Sequence, residues 1–211
     1  MNTSNYLKIK NKIPSNVKIL AVSKGFEIKD IKTIQKLGQD DFGESKFQEA
    51  FEKQLLLKDL KQIKWHFIGR IQSNKIRKIV QNFTYIHSVD SFEKLQKISN
   101  VSYEENKNPF IMLQVKLSDD PNKGGFNPEL LRLKWRDIQE LKNIRLSGLM
   151  TINPKGLSSK KNLELFKKCR SLADSLKLLD CSMGMSGDWE EAVKAGSTWL
   201  RIGSFIFGDR S

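Results

Sequence analysis

Eight short apolar runs, each followed by a helix-like stretch, are the feature that most constrains the fold of this 211-residue chain. Their starts are spaced by roughly 20 to 35 residues, about the size of one strand-helix unit. Alternating strands and helices predict a parallel sheet, and eight such units predict a closed (β/α)8, or TIM, barrel. The predicted strands are Val17–Ser23, Asp41–Glu44, Trp65–Gly69, Tyr85–Val89, Phe110–Leu117, Ile144–Thr151, Leu179–Met185 and Thr198–Ser204.

A doubly wound open sheet is the alternative architecture. The even repetition of eight units, and the lack of a Gly-x-Gly-x-x-Gly segment after the first strand, argue against it. A chain of this length that is 38% hydrophobic can bury one sizeable core, so we expect residues 1–211 to form a single domain. An extra helix is expected within residues 1–13, covering the bottom of the barrel.

Two predicted helices carry apolar stripes that we interpret as core packing against the barrel. In the first helix, Phe47, Phe51 and Leu55 follow one another at every fourth position. The second stripe comprises Leu163, Phe166, Cys169, Leu172, Ala173 and Leu176.

The net charge of +13 raises the question of a nucleic-acid partner. The lysines are scattered over nearly every predicted helix, and no recognised nucleic-acid module or aromatic stacking platform is visible. We therefore interpret the charge as solvated helix faces and expect no nucleic-acid partner. The sequence contains no run of about 18 apolar residues, so no membrane span is expected.

The N-terminal segment and the cysteines indicate a cytoplasmic protein. Residues 1–8 lack the apolar region of a signal peptide. Cys169 and Cys181 have no metal-ligand spacing and are typical of small buried residues in a reducing compartment. We expect no metal site, and the highly charged helices around a closed barrel favour a monomer.

Lys24 stands at the end of the first predicted strand, where the apolar run leaves the core. A buried ammonium group is strongly disfavoured, and a lysine that loses its proton by desolvation becomes a nucleophile able to form a Schiff base with an aldehyde. Alternatively, Lys24 only caps the strand and extends its charged end to water. The position alone leaves both interpretations open.

The loops after strands seven and eight of such barrels often form a phosphate site. Ser186 offers a hydroxyl after the seventh strand, beside a helix that Asp188 is expected to cap. Gly203 and Ser204 offer backbone N–H groups after the eighth strand, and such donors suit a phosphate dianion. Because strands eight and one are neighbours in a closed barrel, Lys24 is expected to face the same cavity.

A lysine nucleophile beside a phosphate site suggests an aldehyde that carries a phosphate, and pyridoxal 5'-phosphate (PLP) has both groups. Arg201 is expected to point at the pyridine nitrogen of PLP. Because a guanidinium cannot accept a proton, it would leave that nitrogen unprotonated and weaken the cofactor as an electron sink. An ion pair between Arg201 and a barrel acid is the alternative. Ser45 and Met150, at the ends of strands two and six, are also predicted to bind the cofactor.

A series of short motifs runs in order along the chain, from Ala21-Val22-Ser23-Lys24 near the start to Ile206-Phe207-Gly208 near the end. Between them lie Phe42-Gly43-Glu44, Trp65-His66-Phe67-Ile68-Gly69, Gln72-Ser73-Asn74-Lys75, His87-Ser88-Val89-Asp90, Gly148-Leu149-Met150, Ser182-Met183-Gly184-Met185-Ser186, Gly196-Ser197-Thr198 and Arg201-Ile202-Gly203. Together these motifs resemble the pyridoxal phosphate homeostasis protein family over essentially the whole chain.

This resemblance implies a fold like the N-terminal barrel of alanine racemase, without the second domain of that enzyme. The family is thought to bind and buffer PLP in vitamin B6 and amino-acid homeostasis, with no firmly established catalytic turnover. The contacts that the resemblance implies are a Schiff base between PLP and Lys24, a pyridine contact from Arg201, and phosphate contacts from Ser186, Gly203 and Ser204.

Two regions depart from the family pattern. Ser45 stands where the family usually has asparagine, and Lys46 follows it in place of an aromatic residue. Arg70 replaces a commonly seen histidine. These departures change the expected surroundings of the cofactor ring and leave the lysine and phosphate features intact. The loop Asn122–Phe126 resembles the family's loop after strand five.

Two functions are compatible with such a site. The first is a carrier or buffer that holds PLP on Lys24 and releases it to apo forms of PLP-dependent enzymes. The alternative is a PLP-dependent amino-acid racemase, which needs a base on each face of the bound amino acid. Because the second base of alanine racemase comes from the missing domain, and His66 and His87 are interpreted as core residues, we expect no catalytic turnover.

Overall fold

The computed structural model describes residues 3–118, 120 and 124–208. Eight parallel strands form a closed barrel in chain order, which confirms the predicted (β/α)8 fold. Seven observed strands lie within their predicted runs, and β3 begins one residue before its run. The strands are β1 (Lys18–Val22), β2 (Asp41–Glu44), β3 (Lys64–Phe67), β4 (Tyr85–Val89), β5 (Phe110–Gln114), β6 (Arg145–Met150), β7 (Asp180–Ser182) and β8 (Trp199–Ile202).

Helices connect the strands and form the outer layer of the barrel. They are α1 (Thr3–Lys12), α2 (Ile28–Gln35), α3 (Phe47–Leu56), α4 (Ile76–Asn82), α5 (Phe92–Glu104), α6 (Pro128–Leu133), α7 (Trp135–Gln139), α8 (Ser159–Ser175), α9 (Trp189–Lys194) and α10 (Ser204–Phe207), with a 3-10 turn at Ser73–Lys75. Part of the predicted loop Asn122–Phe126 lies outside the described residues. The remainder returns to the sheet, where Phe126 pairs with Val115.

Helix α1 precedes the first strand and packs beside α2 and α10. It buries Tyr6 and Ile9 on its inner face. The hydroxyl of Tyr6 donates to Oε1 of Gln39, whose amide in turn donates to the carbonyl oxygens of Ile19 and Asp41 at the start of the barrel. Helix α1 is therefore tied to the N-terminal ends of β1 and β2.

The two predicted apolar stripes have different outcomes. The stripe on α8 is confirmed, because its members are buried apart from Leu163, which is partly buried and packs against the core. The stripe on α3 is wrong at Leu55, which is 55% exposed, whereas Lys53 is buried on the inner face. The physical reason is that the inward face of α3 carries Ala50 and Lys53, followed by Leu57, and Leu55 lies two positions from Lys53 on the opposite side of the helix.

The barrel interior contains both an apolar and a polar part. Leu20, Met112, Met150 and Trp199 form a separate buried cluster in the centre. Buried polar side chains from β3, β4, β7 and β8 lie in the same interior; they are His66, His87, Ser182 and Arg201. Burying a polar group is costly unless the group is hydrogen-bonded. The hydrogen bonds of these four side chains are therefore part of the description of the functional site.

Candidate functional site

A pocket of about 610 Å³ opens at the carboxyl ends of the strands. Its volume lies in the range of roughly 300–1,000 Å³ that is usual for small-molecule sites. We call it the mouth pocket. It is lined by Val22, Lys24, Phe26, Ile68, Ile152, Met185, Ser186, Gly187, Arg201, Gly203, Ser204 and Gly208.

Five of the seven predicted site residues therefore share one pocket, and two do not. Ser45 lines a neighbouring cavity of about 330 Å³ together with Lys46 and Arg70, two of the positions that depart from the family pattern. Met150 is fully buried in the central apolar cluster, below the pocket. The five that share the pocket are Lys24, Ser186, Arg201, Gly203 and Ser204.

Lys24 is half-buried in a tight turn directly after β1. The residue on each side of it is fixed by a carboxylate. The Ser23 hydroxyl donates to Oε1 of Glu44 over 2.7 Å, and the backbone N–H of Gly25 donates to Oε1 of Glu49. Gly25 has a φ of 77°, a conformation that glycine adopts without steric cost. These contacts set the direction in which the backbone carries Lys24.

Lys53 connects the two carboxylates that hold this turn. Its Nζ lies 2.8 Å from Glu44 Oε1 and 2.7 Å from Glu49 Oε1, and it donates to the carbonyl oxygen of Ser23 over 2.7 Å. Burial raises the pKa of Glu44, and the attraction of Lys53 and the hydrogen bonds from Lys53 and Ser23 oppose that rise. Sequence reasoning missed this cluster, because a single lysine in a helix gives no sign of facing inward.

Ser186 lies in the loop between β7 and α9, and its hydroxyl accepts from the backbone N–H of Phe205 over 3.3 Å. This bond joins the loop after β7 to α10, the short helix that follows β8. Gly184 shapes the start of the loop with a φ of 92°, and a Cβ there would lie 2.4 Å from that of Ala192. Only glycine lets the loop pack this closely on α9.

The expectation that Asp188 caps α9 with its side chain is corrected by the structure. Asp188 does occupy the N-cap position, but its side chain makes no capping bond to the helix. Its Oδ1 instead accepts from the backbone N–H of Met185 over 2.6 Å. The carboxylate therefore closes the Met185–Asp188 turn, which includes Ser186 and Gly187 at the pocket.

Arg201 projects from β8 and is only 5% exposed. Its Nη1 donates to the carbonyl oxygen of Ser182 over 2.5 Å and to the Ser182 hydroxyl over 3.0 Å. Its Nη2 donates to the carbonyl oxygen of Thr151 over 2.8 Å. Burial lowers the pKa of Arg201 to about 10, and attraction to Asp188 opposes the change. The guanidinium therefore remains charged at neutral pH.

Several pocket residues were not singled out from the sequence. Phe26 lies two positions after Lys24 and stacks on Phe207 with ring centroids 4.7 Å apart. Ile152 follows β6, and Met185 precedes Ser186. Their positions just after predicted strands were the available signal. A Cβ added at Gly187 would meet no atom within 4 Å, so this side of the pocket is open.

Other groups that bear on function lie away from the mouth pocket. His66 and His87 are both fully buried in the barrel interior, and both cysteines are buried free thiols. Within the described residues, no group of three His, Cys, Asp or Glu side chains could hold a metal ion. Every helix in the same part of the chain is too short or too polar to cross a bilayer.

Comparison with known proteins places this barrel among proteins of one family. The alanine racemase N-terminal domain family matches residues 3–211. The pyridoxal phosphate homeostasis protein of Synechocystis sp. is 45% identical over 211 residues, with 97% of each chain covered. That of Pseudomonas aeruginosa is 40% identical, covering 93% of this chain and 86% of the relative. The chain belongs to the pyridoxal phosphate homeostasis protein family.

Solved structures agree with this assignment. PipY of Synechococcus elongatus with PLP bound superposes with a TM-score of 0.94 and is 37% identical, covering 98% of this chain and 99% of that one. PipY without PLP superposes with a TM-score of 0.96. Alanine racemase of Clostridium difficile, at 17% identity and a TM-score of 0.80, shares the fold over 55% of its own length.

Proposed function

We propose that this protein binds PLP in the mouth pocket and holds it on Lys24 as a Schiff base, so that it carries or buffers the cofactor. The observation that carries the proposal is the presence of Lys24, Arg201 and Ser186 in one pocket of about 610 Å³. An amine, a permanent cation and a hydroxyl beside unobstructed backbone match the aldehyde, ring nitrogen and phosphate of PLP.

The residues present fit each part of the cofactor. The amine of Lys24 would add to the aldehyde and release one water, while the fixed Ser23 and Gly25 hold the turn in place. Ser186, Gly203 and Ser204 line the same pocket and would supply a hydroxyl and backbone donors for a phosphate. Full-length relatives named for PLP homeostasis, and a related structure described as PLP-bound, support this assignment.

Arg201 favours storage of the cofactor over catalysis. PLP supplies an electron sink when its ring nitrogen is protonated. A guanidinium only donates, so beside that nitrogen it would leave the nitrogen unprotonated. The three hydrogen bonds to Ser182 and Thr151 use three of the five guanidinium N–H groups, and the planar group keeps a fixed orientation.

A racemase is not favoured. Racemisation needs a second base that reaches the bound amino acid, and the candidate bases lie elsewhere. His66 and His87 are hydrogen-bonded in the barrel interior. Tyr85 begins β4 at the far end of the barrel, and Tyr103 is 74% exposed on α5. We further propose that the protein is a cytoplasmic monomer that releases PLP to apo forms of PLP-dependent enzymes.

The direct test is spectroscopic titration of the purified protein with PLP. Absorbance of a protonated Schiff base should appear with a 1:1 end point and should be lost in Lys24→Arg, which retains the charge but cannot form the bond. Lys46→Arg, at an exposed lysine of the neighbouring cavity, is the matched control and should titrate like the parent protein. Equal absorbance in Lys24→Arg and the parent would overturn the assignment of Lys24.

Delivery is tested separately. Loaded protein is mixed with an apo PLP-dependent enzyme, and recovery of that enzyme's activity is followed against an equal concentration of free PLP. We expect recovery to proceed at a rate limited by release from Lys24. Sedimentation of the loaded protein should give the mass of one 24.3 kDa chain. A loaded protein that never activates the acceptor would contradict a carrier role.

A further inference from the structure

Four buried side chains and one carboxylate form a continuous hydrogen-bonded chain through the barrel. Nη1 of Arg201 lies 3.0 Å from the Ser182 hydroxyl, which lies 3.0 Å from Nδ1 of His87. Nε2 of His87 lies 2.9 Å from Nδ1 of His66, and Nε2 of His66 lies 3.0 Å from Oδ1 of Asp41. We call these five residues the interior chain. It joins the mouth pocket to the opposite face of the barrel.

The chemistry of the two ends fixes the direction of every bond. The Asp41 carboxylate only accepts, so Nε2 of His66 carries a hydrogen, and a neutral His66 must then accept at Nδ1. Nε2 of His87 is therefore the donor to His66, which leaves Nδ1 of His87 as an acceptor for the Ser182 hydroxyl. Arg201 only donates, which agrees with Ser182 as its acceptor.

The histidines are held neutral by their surroundings. Burial lowers the pKa of His66, which Asp41 opposes and Lys64 and Lys18 reinforce. Burial lowers the pKa of His87 well below its usual value, with further repulsion from His66 and Arg201.

Aromatic rings enclose the pair of imidazoles. Tyr85 stacks on His66 with ring centroids 4.2 Å apart, and Trp199 lies 5.0 Å from His66 and 6.2 Å from His87. Such walls exclude water and keep each imidazole in place. Because both histidines are neutral and held in place, the interior chain has one proton arrangement and not a mixture of two.

Asp41 lies at the other end of the barrel from the mouth pocket. It begins β2, its side chain is 21% exposed, and it lines a cavity of about 540 Å³ beneath α1. Within the described residues, Arg201 forms no direct ion pair and bonds only to neutral oxygens. Asp41 is thus the carboxylate to which the buried guanidinium is linked by hydrogen bonds.

We infer that Asp41 is a positioning residue for the cofactor pocket, acting through His66, His87 and Ser182 on the guanidinium of Arg201. The inference rests on the proposed function in one respect, namely that Arg201 meets the PLP ring. Hydrogen-bonded chains polarise one another, so a formal negative charge at one end strengthens each bond toward the other. Without that charge, the Nη1 bonds weaken and Arg201 is less well fixed.

The first test reads the proton positions directly. The chain contains two histidines, so the imidazole nitrogen signals in a long-range ¹⁵N–¹H spectrum are assigned by one His87→Gln variant. At pH 7.5, without PLP, we expect both histidines to be neutral and protonated at Nε2. A hydrogen on Nδ1 of either ring, or a charged imidazole, would overturn the inference.

The second test removes the charge at the far end. Asp41→Asn should shift the ¹⁵N signals of His87, which does not touch Asp41, and should weaken PLP binding about five- to tenfold. Asp40→Asn, at the neighbouring acid of the same cavity, is the control and should do neither. A change confined to His66, with His87 and PLP affinity unchanged, would overturn the inference.

The two proposals fail in different ways. If the parent protein did not bind PLP, the proposed function would fail, while the spectra of His66 and His87 in Asp41→Asn would still decide whether the chain transmits the charge. Melting temperatures of both variants accompany the spectra. A PLP loss in Asp41→Asn with unchanged His87 signals would mean that Asp41 acts by some other route.

Discussion

Two buried cations border the region of the mouth pocket, and the barrel accommodates them differently. Lys53, on α3, makes direct contacts of 2.7 and 2.8 Å with two carboxylates. Arg201, on β8, donates to carbonyl and hydroxyl oxygens, and in the described part of the chain its hydrogen bonds lead to the carboxylate of Asp41 through the interior chain. The two cations therefore have different roles. The ion pairs of Lys53 fix the backbone around Lys24, whereas the indirect link to Asp41 leaves Arg201 available to a ligand.

Removal of Lys53 should have the largest effect on stability. Lys53→Met leaves Glu44 buried beside Ser23 without its cationic partner, and the loss of one member of a buried pair costs about 3–5 kcal/mol. Chemical denaturation measures the free energy of unfolding, with Lys58→Met at an exposed neighbouring lysine as control. Adding Glu44→Gln to Lys53→Met should recover part of the loss. A loss below about 1 kcal/mol in Lys53→Met would contradict the direct-pairing account.

Replacement of Arg201 should weaken both the folded state and PLP binding. Arg201→Lys keeps a charge, but an ammonium group cannot reproduce the planar fork that bonds to Ser182 and Thr151. We expect about 2 kcal/mol of lost stability and about tenfold weaker PLP binding. Arg145→Lys, at the exposed start of β6, controls for the substitution itself. Unchanged PLP affinity in Arg201→Lys would remove Arg201 from the binding site.

The carboxylate at the outer edge of the Lys53 cluster should contribute less. Glu49 is 30% exposed, so water screens its attraction to Lys53. Glu49→Gln keeps an acceptor for Gly25 and should cost about 0.5–1 kcal/mol of unfolding free energy. Glu52→Gln, an exposed acid on the same helix, should be neutral. A cost in Glu49→Gln as large as that of Lys53→Met would contradict the screening of Glu49 by water.

Acidification should charge His66 and His87 only at a lower pH than it charges an exposed histidine. Because burial lowers the pKa of His66 and of His87, both remain neutral in the folded state at about pH 6.5, where an exposed histidine is half charged. Their contribution to stability is therefore present above about pH 6.5 and decreases as the pH falls. The midpoints of the imidazole NMR titrations should therefore lie below about pH 6.5, the ordinary histidine pKa. Titration of either signal with an ordinary pKa would contradict a sealed chain.

The sequence predicts the barrel well because each strand is a local apolar run and eight of them leave one closed arrangement. It also places Lys24, Ser186 and Arg201 at strand ends, so their meeting follows from topology alone. Contacts between side chains that are distant in the sequence could not be predicted in this way. No local pattern relates Lys53 to Glu44, or His66 to His87 on the next strand.

The sequence also does not show which side chain at the end of a strand reaches the pocket. Met150 was expected at the pocket because it ends β6, yet its side chain points into the apolar cluster with Trp199. Ile152, two positions later, lines the pocket instead. A shift of one or two residues decides which side chain reaches the mouth, and sequence patterns do not define strand ends that closely.

The most direct measurement of the central claim is borohydride reduction of the protein mixed with equimolar PLP, followed by peptide mapping by mass spectrometry. Reduction makes the bond between lysine and PLP permanent, so the modified residue identifies itself. The account predicts a single adduct on Lys24, with Lys53 and the exposed lysines unmodified. Adducts spread over surface lysines, or none at Lys24, would contradict it.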